Sequence, residues 1–395
     1  MVSPFPAGKT NPAHPTALSY PDAQPILRVR FPSGFEGWLV TRYEDARLVL
    51  ADPRFSRALL YDGAPCMIQP GDFATGERSI LNLDPPDHTR LRRLAAQAFT
   101  ARRIAALRPM IERIADELLT ALAERNPPAD VVEHFAFPLP TAVMCEILGV
   151  PFADRDRFRL WSQVIVAPLA FTPDLVEKAR ADGASDMLAL VAAKRAKPGA
   201  DILSSLVHAQ EGDDRLSDAE LVDLGTQLLL AGHETTVTLL GTGLFLLFTH
   251  PDQLAALRAD PDLTPGAIEE IMRFDGPIEN SLLRVPLEDI EIGGTVIKAG
   301  EGVVALTCVA NRDPAVFPDP NRFDITRRGA AQLGFGHGIH FCLGAALARL
   351  EAEVALRALL ARFPSLDLAV APEEIEWRPP LSTRGPVSLP VTWTK

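Results

Sequence analysis

The feature that most limits what this chain can fold into is the run from Ser217 to Phe248, which contains no proline and is apolar along most of its length. Ser217 followed by Glu220 reads as a capping box at a helix start, and Pro251 lies just past the end. At a rise of about 1.5 Å per residue such a helix extends about 45–50 Å, the breadth of a whole molecule of this size. A helix that long and that apolar has to be central. Its middle carries AGHETT, residues 231–236, and an ionisable group there is costly in lipid without a protein-lined cavity. The run therefore reads as a buried helix of a globular protein, with no membrane span.

The other elements follow from periodicity. ILRVRF and GWLVTRY read as two short strands around Pro32, Ser33 and Gly34. From about 87 to 250 apolar residues recur at spacings of three and four, which predicts helices. A helix at 264–274 precedes a stretch of short apolar runs broken by Gly-Gly and Ala-Gly, which predicts small strands, and a last helix is expected at 343–362. Residues 60–80 carry turn formers without periodicity and are a candidate lid, while 1–22 read as an extended, proline-rich N-terminal segment without a secretory pattern. The fold class is mainly α with small β-sheets, and 1–395 reads as one domain.

LGFGHGIHFCLG, residues 333–344, carries the chemistry. Cys66, Cys145, Cys308 and Cys342 form no CxxC pair, so neither a disulfide framework nor a four-cysteine zinc site is encoded. Three readings of Cys342 are open. Zinc could use His337, His340 and Cys342, although a structural site normally takes four ligands. A nucleophilic thiol would draw on the N-terminal dipole of the following helix. A single thiolate on a haem iron would give Gly336, Gly338 and Gly344 a use, letting backbone approach a flat macrocycle and point N–H groups at the sulfur.

FGHGIHFCLG resembles the haem-binding loop of the cytochrome P-450 superfamily, with Phe335 and Cys342 in the family's fixed places. The resemblance continues through EEIMR, where Glu270 and Arg273 match the family's Glu-x-x-Arg pair, and FPDPNRF, where Arg322 matches the third member of that charge network. It implies a cytochrome P-450 fold whose long central helix crosses the haem, with haem b as cofactor and Cys342 as the thiolate ligand of its iron. His88, Arg92, Arg284 and His340 are then contacts to the haem propionates. AGHETT resembles the family's oxygen-binding groove: Ala231 and Gly232 leave room for dioxygen and substrate, Thr235 hydrogen-bonds the oxygen and loosens the helix locally, and Glu234 relays protons from water. Together Glu234 and Thr235 supply the protons that O–O cleavage requires. His233 and Thr236 read as groups facing neighbouring helices.

The implied activity is monooxygenation, a hydroxylation or epoxidation of a lipophilic secondary metabolite such as a macrolide, polyketide, terpenoid or steroid. The rivals are a peroxide-driven peroxygenase, which would more naturally lack the acid–alcohol pair, and a haem-thiolate gas sensor, which needs no proton relay. No GxGxxG follows a strand, so electrons are expected from outside this chain, and the resemblance implies a ferredoxin and ferredoxin reductase with NAD(P)H as donor. Arg92, Arg93, Arg102, Arg103 and Arg349 are candidates for docking an acidic ferredoxin. A net charge of −12 speaks against nucleic acid and anionic membrane as partners, and the cytoplasm is the expected compartment. The resemblance implies a substrate pocket among the loop at 60–80, the helix at 160–190, Ala231, Thr235, GPIENSLL and Leu381 to Arg384; Glu279 could meet an amino sugar there but is expected to be turned to solvent.

Overall fold

A computed structural model describes residues 25–394 apart from 60, 62, 68–78, 167–170, 212–213 and 379–382. The N-terminal segment, most of the expected lid and Leu381 lie outside the described residues. Strands β1 (Ile26–Arg30) and β2 (Glu36–Val40) pair antiparallel, Arg28 opposite Trp38, and β3 (Gly302–Ala305) adds to β2 in parallel. A late segment thereby returns to the first hairpin. Arg284 exchanges both backbone hydrogen bonds with Val303, at 2.9 and 2.8 Å, so this small sheet fixes where its side chain starts.

GWLVTRY does not stay extended to its end: Tyr43 opens helix α1 (Tyr43–Ala51). The Tyr43 N–H donates to the Asp313 carboxylate at 2.9 Å, so this helix start is satisfied from a distant part of the chain and carries no local signal. Helices α2 (Asp87–Ala96), α3 (Arg108–Ala123) and α4 (Pro138–Leu148) lead to α5 (Asp218–Thr249), followed by α6 (Thr264–Asp275) and α7 (Ala345–Arg362). The last of these begins at Ala345, because Leu343 and Gly344 complete the turn after the cysteine.

The central helix is capped as expected. Ser217 Oγ accepts from Glu220 N at 3.3 Å, and Glu220 accepts from Ser217 N at 2.8 Å. Every residue from Leu239 to Phe248 is buried, and α4, α6 and α7 pack around the helix. Gly232 has a packing role: a Cβ there would sit 2.5 Å from Met144 Sδ of α4, so the bare backbone admits α4 rather than leaving room for dioxygen. Gly232→Val is expected to cost about 1–3 kcal/mol by overpacking this contact. An unchanged denaturant midpoint would remove the packing role.

Glu270 and Arg273 of α6 are both buried and paired, with Nε to Oε2 at 2.7 Å and Nη2 to Oε1 at 2.8 Å. The third cation is Arg327, whose Nε lies 3.2 Å from Glu270 Oε2, and not Arg322. Arg322 turns its side chain to solvent and supplies its carbonyl, which accepts from Arg273 at 3.3 Å and Arg327 at 2.9 Å. Arg273 also donates to the Asn311 carbonyl at 2.9 Å, and the Asn311 side chain accepts from Leu333 N at 2.7 Å. The network thus reaches the first residue of the cysteine loop through one asparagine.

Candidate active site

The cysteine loop is tied at its ends and pressed onto α1. Cys342 N donates to the Phe335 carbonyl at 2.9 Å, and Gly336 N to Leu333 O at 2.8 Å. Gly338 has φ of 72°, and a Cβ on it would come within 2.6 Å of the Leu50 carbonyl, so only glycine fits the approach to α1. Gly344 would meet nothing within 4 Å with a Cβ added, which leaves its face clear beside the sulfur.

Cys342 is exposed, unlike the other three cysteines. Burial is nevertheless the strongest influence on its thiol and pushes it up, against the N–H groups of Gly344 and Ala345 and the guanidiniums of Arg92 and Arg349. The residue thus reaches the surface while protein crowds its thiol. Arg349 stacks over Phe335 at 4.4 Å and bonds Glu269 at 2.5 Å, which fixes it on this side of the loop.

The loop's two histidines diverge. His337 lies under the influence of Arg47 and Glu44 on α1, while His340 stacks on His88 with ring centroids 4.2 Å apart. Among the described residues no three His, Cys, Asp or Glu side chains are grouped to hold a metal ion, which removes the three-ligand zinc reading. His340 instead joins His88, Arg92 and Arg284. Burial, with the charge of Arg284, holds the His340 pKa down to about 2. Burial lowers His88, and lowers Arg284 to about 10, with Asp84 opposing. His88 Nδ1, Arg284 Nε and His340 Nε2 are buried without hydrogen-bond partners. A cluster of cations and unsatisfied donors fits an anionic, acceptor-rich group such as a pair of carboxylates. Arg57, not foreseen from the sequence, is buried beside them and is anchored on Leu81 O and Asn82 Oδ1. Nothing in its local sequence distinguishes it.

On α5, Ala231 is exposed and Thr235 half-buried within a helix that is otherwise largely buried, so one short stripe opens from the core. Thr235 Oγ1 donates to the Ala231 carbonyl at 2.6 Å, and the helix runs unbroken through the stripe rather than loosening. His233 faces Phe137 edge-on at 4.8 Å, and Thr236 bonds the Gly232 carbonyl at 3.0 Å. Glu234 is buried and ion-paired with Arg378, a partner the sequence did not indicate.

A family model of cytochrome P450 matches residues 158–379. The chain belongs to the cytochrome P450 family. This P450 is 46% identical over 384 residues to the cytochrome P450 monooxygenase PikC of Streptomyces venezuelae, covering 97% of this chain and 91% of that one. It is 43% identical to the mycinamicin IV hydroxylase/epoxidase of Micromonospora griseorubida, covering 94% and 93%. Among solved structures, the LnmA cytochrome P450 hydroxylase of the leinamycin pathway of Streptomyces atroolivaceus superposes with a TM-score of 0.91 at 45% identity, covering 99% of this P450 and 100% of that chain. The fold class and the monooxygenase activity expected from the sequence are thereby established, and the family implies a haem-thiolate centre, dioxygen and a redox partner. No helix among the described residues is long and apolar enough to cross a membrane.

The outer parts of the P450 depart from expectation in two places. Arg92 is half-buried and under the influence of Cys342, which leaves Arg93, Arg102 and Arg103 as the exposed arginines among the docking candidates. Glu279 is not turned to solvent: its side chain is 11% exposed, 3.6 Å from Arg384 Nε, and burial pushes its pKa up to about 7. Arg384 pairs with Asp275 at 3.0 Å.

Proposed function

We propose that this P450 binds haem b with Cys342 as the thiolate ligand of its iron and hydroxylates or epoxidises a lipophilic secondary metabolite. The observation that carries the reading is the convergence of His88, Arg92, Arg284 and His340, with three unpartnered buried nitrogens, in the protein whose one exposed cysteine lies under the influence of Arg92. Those four residues would hold the propionates, Phe335, Gly336 and Gly344 would shape the thiolate side, and Ala231 would line the opposite face. When bound, the haem supplies the electron-rich iron at which dioxygen is split and one oxygen atom is passed to substrate.

The protein's own part is protons and exclusion of water. Thr235 Oγ1, now donating to the Ala231 carbonyl, is the hydroxyl that positions a proton at the oxygen, and the Glu234 carboxyl replenishes it. Electrons would come from a ferredoxin and its reductase, with NAD(P)H as source, docking at the exposed Arg93, Arg102 and Arg103 with Arg349 nearby. The whole chain would work as one domain in the cytoplasm. Relatives named for macrolide oxidation support a macrolide or related polyketide as substrate, and the acid–alcohol pair favours dioxygen over peroxide or gas sensing.

Thr235→Ala is expected to keep haem binding while lowering product formed per electron consumed, by about tenfold or more for loss of a proton-transfer group, the balance appearing as peroxide. Equal coupling in variant and parent would exclude Thr235 from the relay.

A further inference from the structure

The four residues that would hold the propionates come from three separate segments: His88 and Arg92 from α2, Arg284 from the chain beside β3, and His340 from the cysteine loop. A fifth residue joins two of these segments. The two-residue strands Phe55–Ser56 and Val285–Pro286 pair antiparallel, Ser56 opposite Val285, so Arg57 and Arg284 leave the same end of that ladder. Arg57 is buried, and each arm of its guanidinium reaches a different point. Nε donates to the Leu81 carbonyl at 2.9 Å, Nη2 to Asn82 Oδ1 at 2.7 Å, and Nη1 to the carbonyl of Leu283, the residue before Arg284. The Arg57 backbone N donates to Asp84 Oδ1 at 2.9 Å, and the Asp84 carbonyl accepts from His88 N at 2.9 Å in the first turn of α2. One residue thus ties the start of the His88–Arg92 helix to the segment that carries Arg284.

Arg57 does this without occupying the cluster. Its Nε, Nη1 and Nη2 are each engaged by a protein oxygen, whereas His88 Nδ1, Arg284 Nε and His340 Nε2 have no partner. The Asp84 carboxylate is likewise engaged, by Arg57 N and Ser56 Oγ, while its charge favours the protonated forms of His88 and Arg284. The geometry points to Arg57 as the positioning residue of the propionate clamp: its fork sets the spacing between the His88–Arg92 helix and Arg284, so that both sides meet one anionic group at once. A planar fork holds three oxygens in fixed directions, which the point charge of a lysine cannot do. Charge alone therefore does not replace it. The inference rests on the proposal that His88, Arg92, Arg284 and His340 hold haem propionates.

Haem retention and resonance Raman spectra of the holoprotein test it without turnover. Arg57→Met should keep the red-shifted carbon monoxide band, because Cys342 is untouched. It should lose haem to excess apomyoglobin about tenfold faster or more, as when a group that orients ligands from behind is removed. Its propionate-bending bands should move toward those of Arg284→Met. Arg57→Lys should release haem nearly as fast as Arg57→Met. In the Arg57→Met/Arg284→Met double variant the two rate increases should combine to less than their product, since one residue acts through the other. Asn82→Ala cuts one arm of the fork and removes no charge; it takes the place of Arg57→Met if the latter does not fold, with a smaller rise expected in the same direction. Parent-like retention and propionate bands in Arg57→Met, or in Asn82→Ala where that replaces it, would overturn the positioning role. So would parent-like retention in Arg57→Lys, or rate increases that multiply in the double variant. Failure of the haem reading is a separate outcome, seen as no Soret band in the parent or as parent-like retention in Arg284→Met.

Discussion

Replacing Cys342 by serine is expected to abolish the strongly red-shifted Soret band that the dithionite-reduced protein gives with carbon monoxide, and to take monooxygenation below detection. A thiolate pushes electron density onto iron in a way a serine hydroxyl cannot, and the surroundings are arranged for sulfur. Against the burial that pushes its thiol up, the N–H groups of Gly344 and Ala345 and the charges of Arg92 and Arg349 favour its ionised form. A red-shifted band surviving in Cys342→Ser would mean that another side chain binds the iron. A parent protein with no Soret band after haem supplementation would remove the cofactor assignment altogether.

The second large effect is on stability. Glu270→Gln is expected to destabilise the protein by about 3–5 kcal/mol, read from the denaturant midpoint, because it leaves the buried Arg273 guanidinium and the partly buried one of Arg327 against a neutral amide. The carboxylate accepts from Arg273, Arg327 and the Asp324 N–H, so the amide NH2 would face at least one donor. Arg327→Ala should share much of this loss, while Arg322→Ala should stay within about 0.5 kcal/mol, as surface substitutions do. The reverse order of the two arginines would restore Arg322 as the third cation.

That exchange of arginines marks where the sequence is legible and where it is not. The Ser217–Glu220 cap and the Glu270–Arg273 pair are three residues apart, and helical geometry alone brings each together. The cysteine loop reads equally well because its glycines and its sulfur lie in one short segment. Arg327 and Arg322 differ only in how the chain turns between them, and both approach α6, one through its side chain and one through its carbonyl. Gly232 looks like relief for a small ligand until the position of Met144 is known. Arg378 meets Glu234, and Arg384 meets Glu279, across separations of more than a hundred residues, and no local pattern announces either contact. Glu279 reads as solvent-facing for the same reason: besides nearby Asp275, its surroundings include Arg384 and the buried Cys308 from distant segments.

The paired rings of His88 and His340, with Arg284 and Arg92 around them, carry a consequence for the life of the polypeptide in the cell. Native packing holds the like-charged guanidiniums together beside buried nitrogens that have no partner. A cofactor that brings two carboxylates turns the same arrangement into attraction, and whatever binds only the native form adds its binding free energy to that form. Cofactor supply and protein lifetime are then one equilibrium viewed from two ends. Less haem would then mean more of the chain in forms open to degradation.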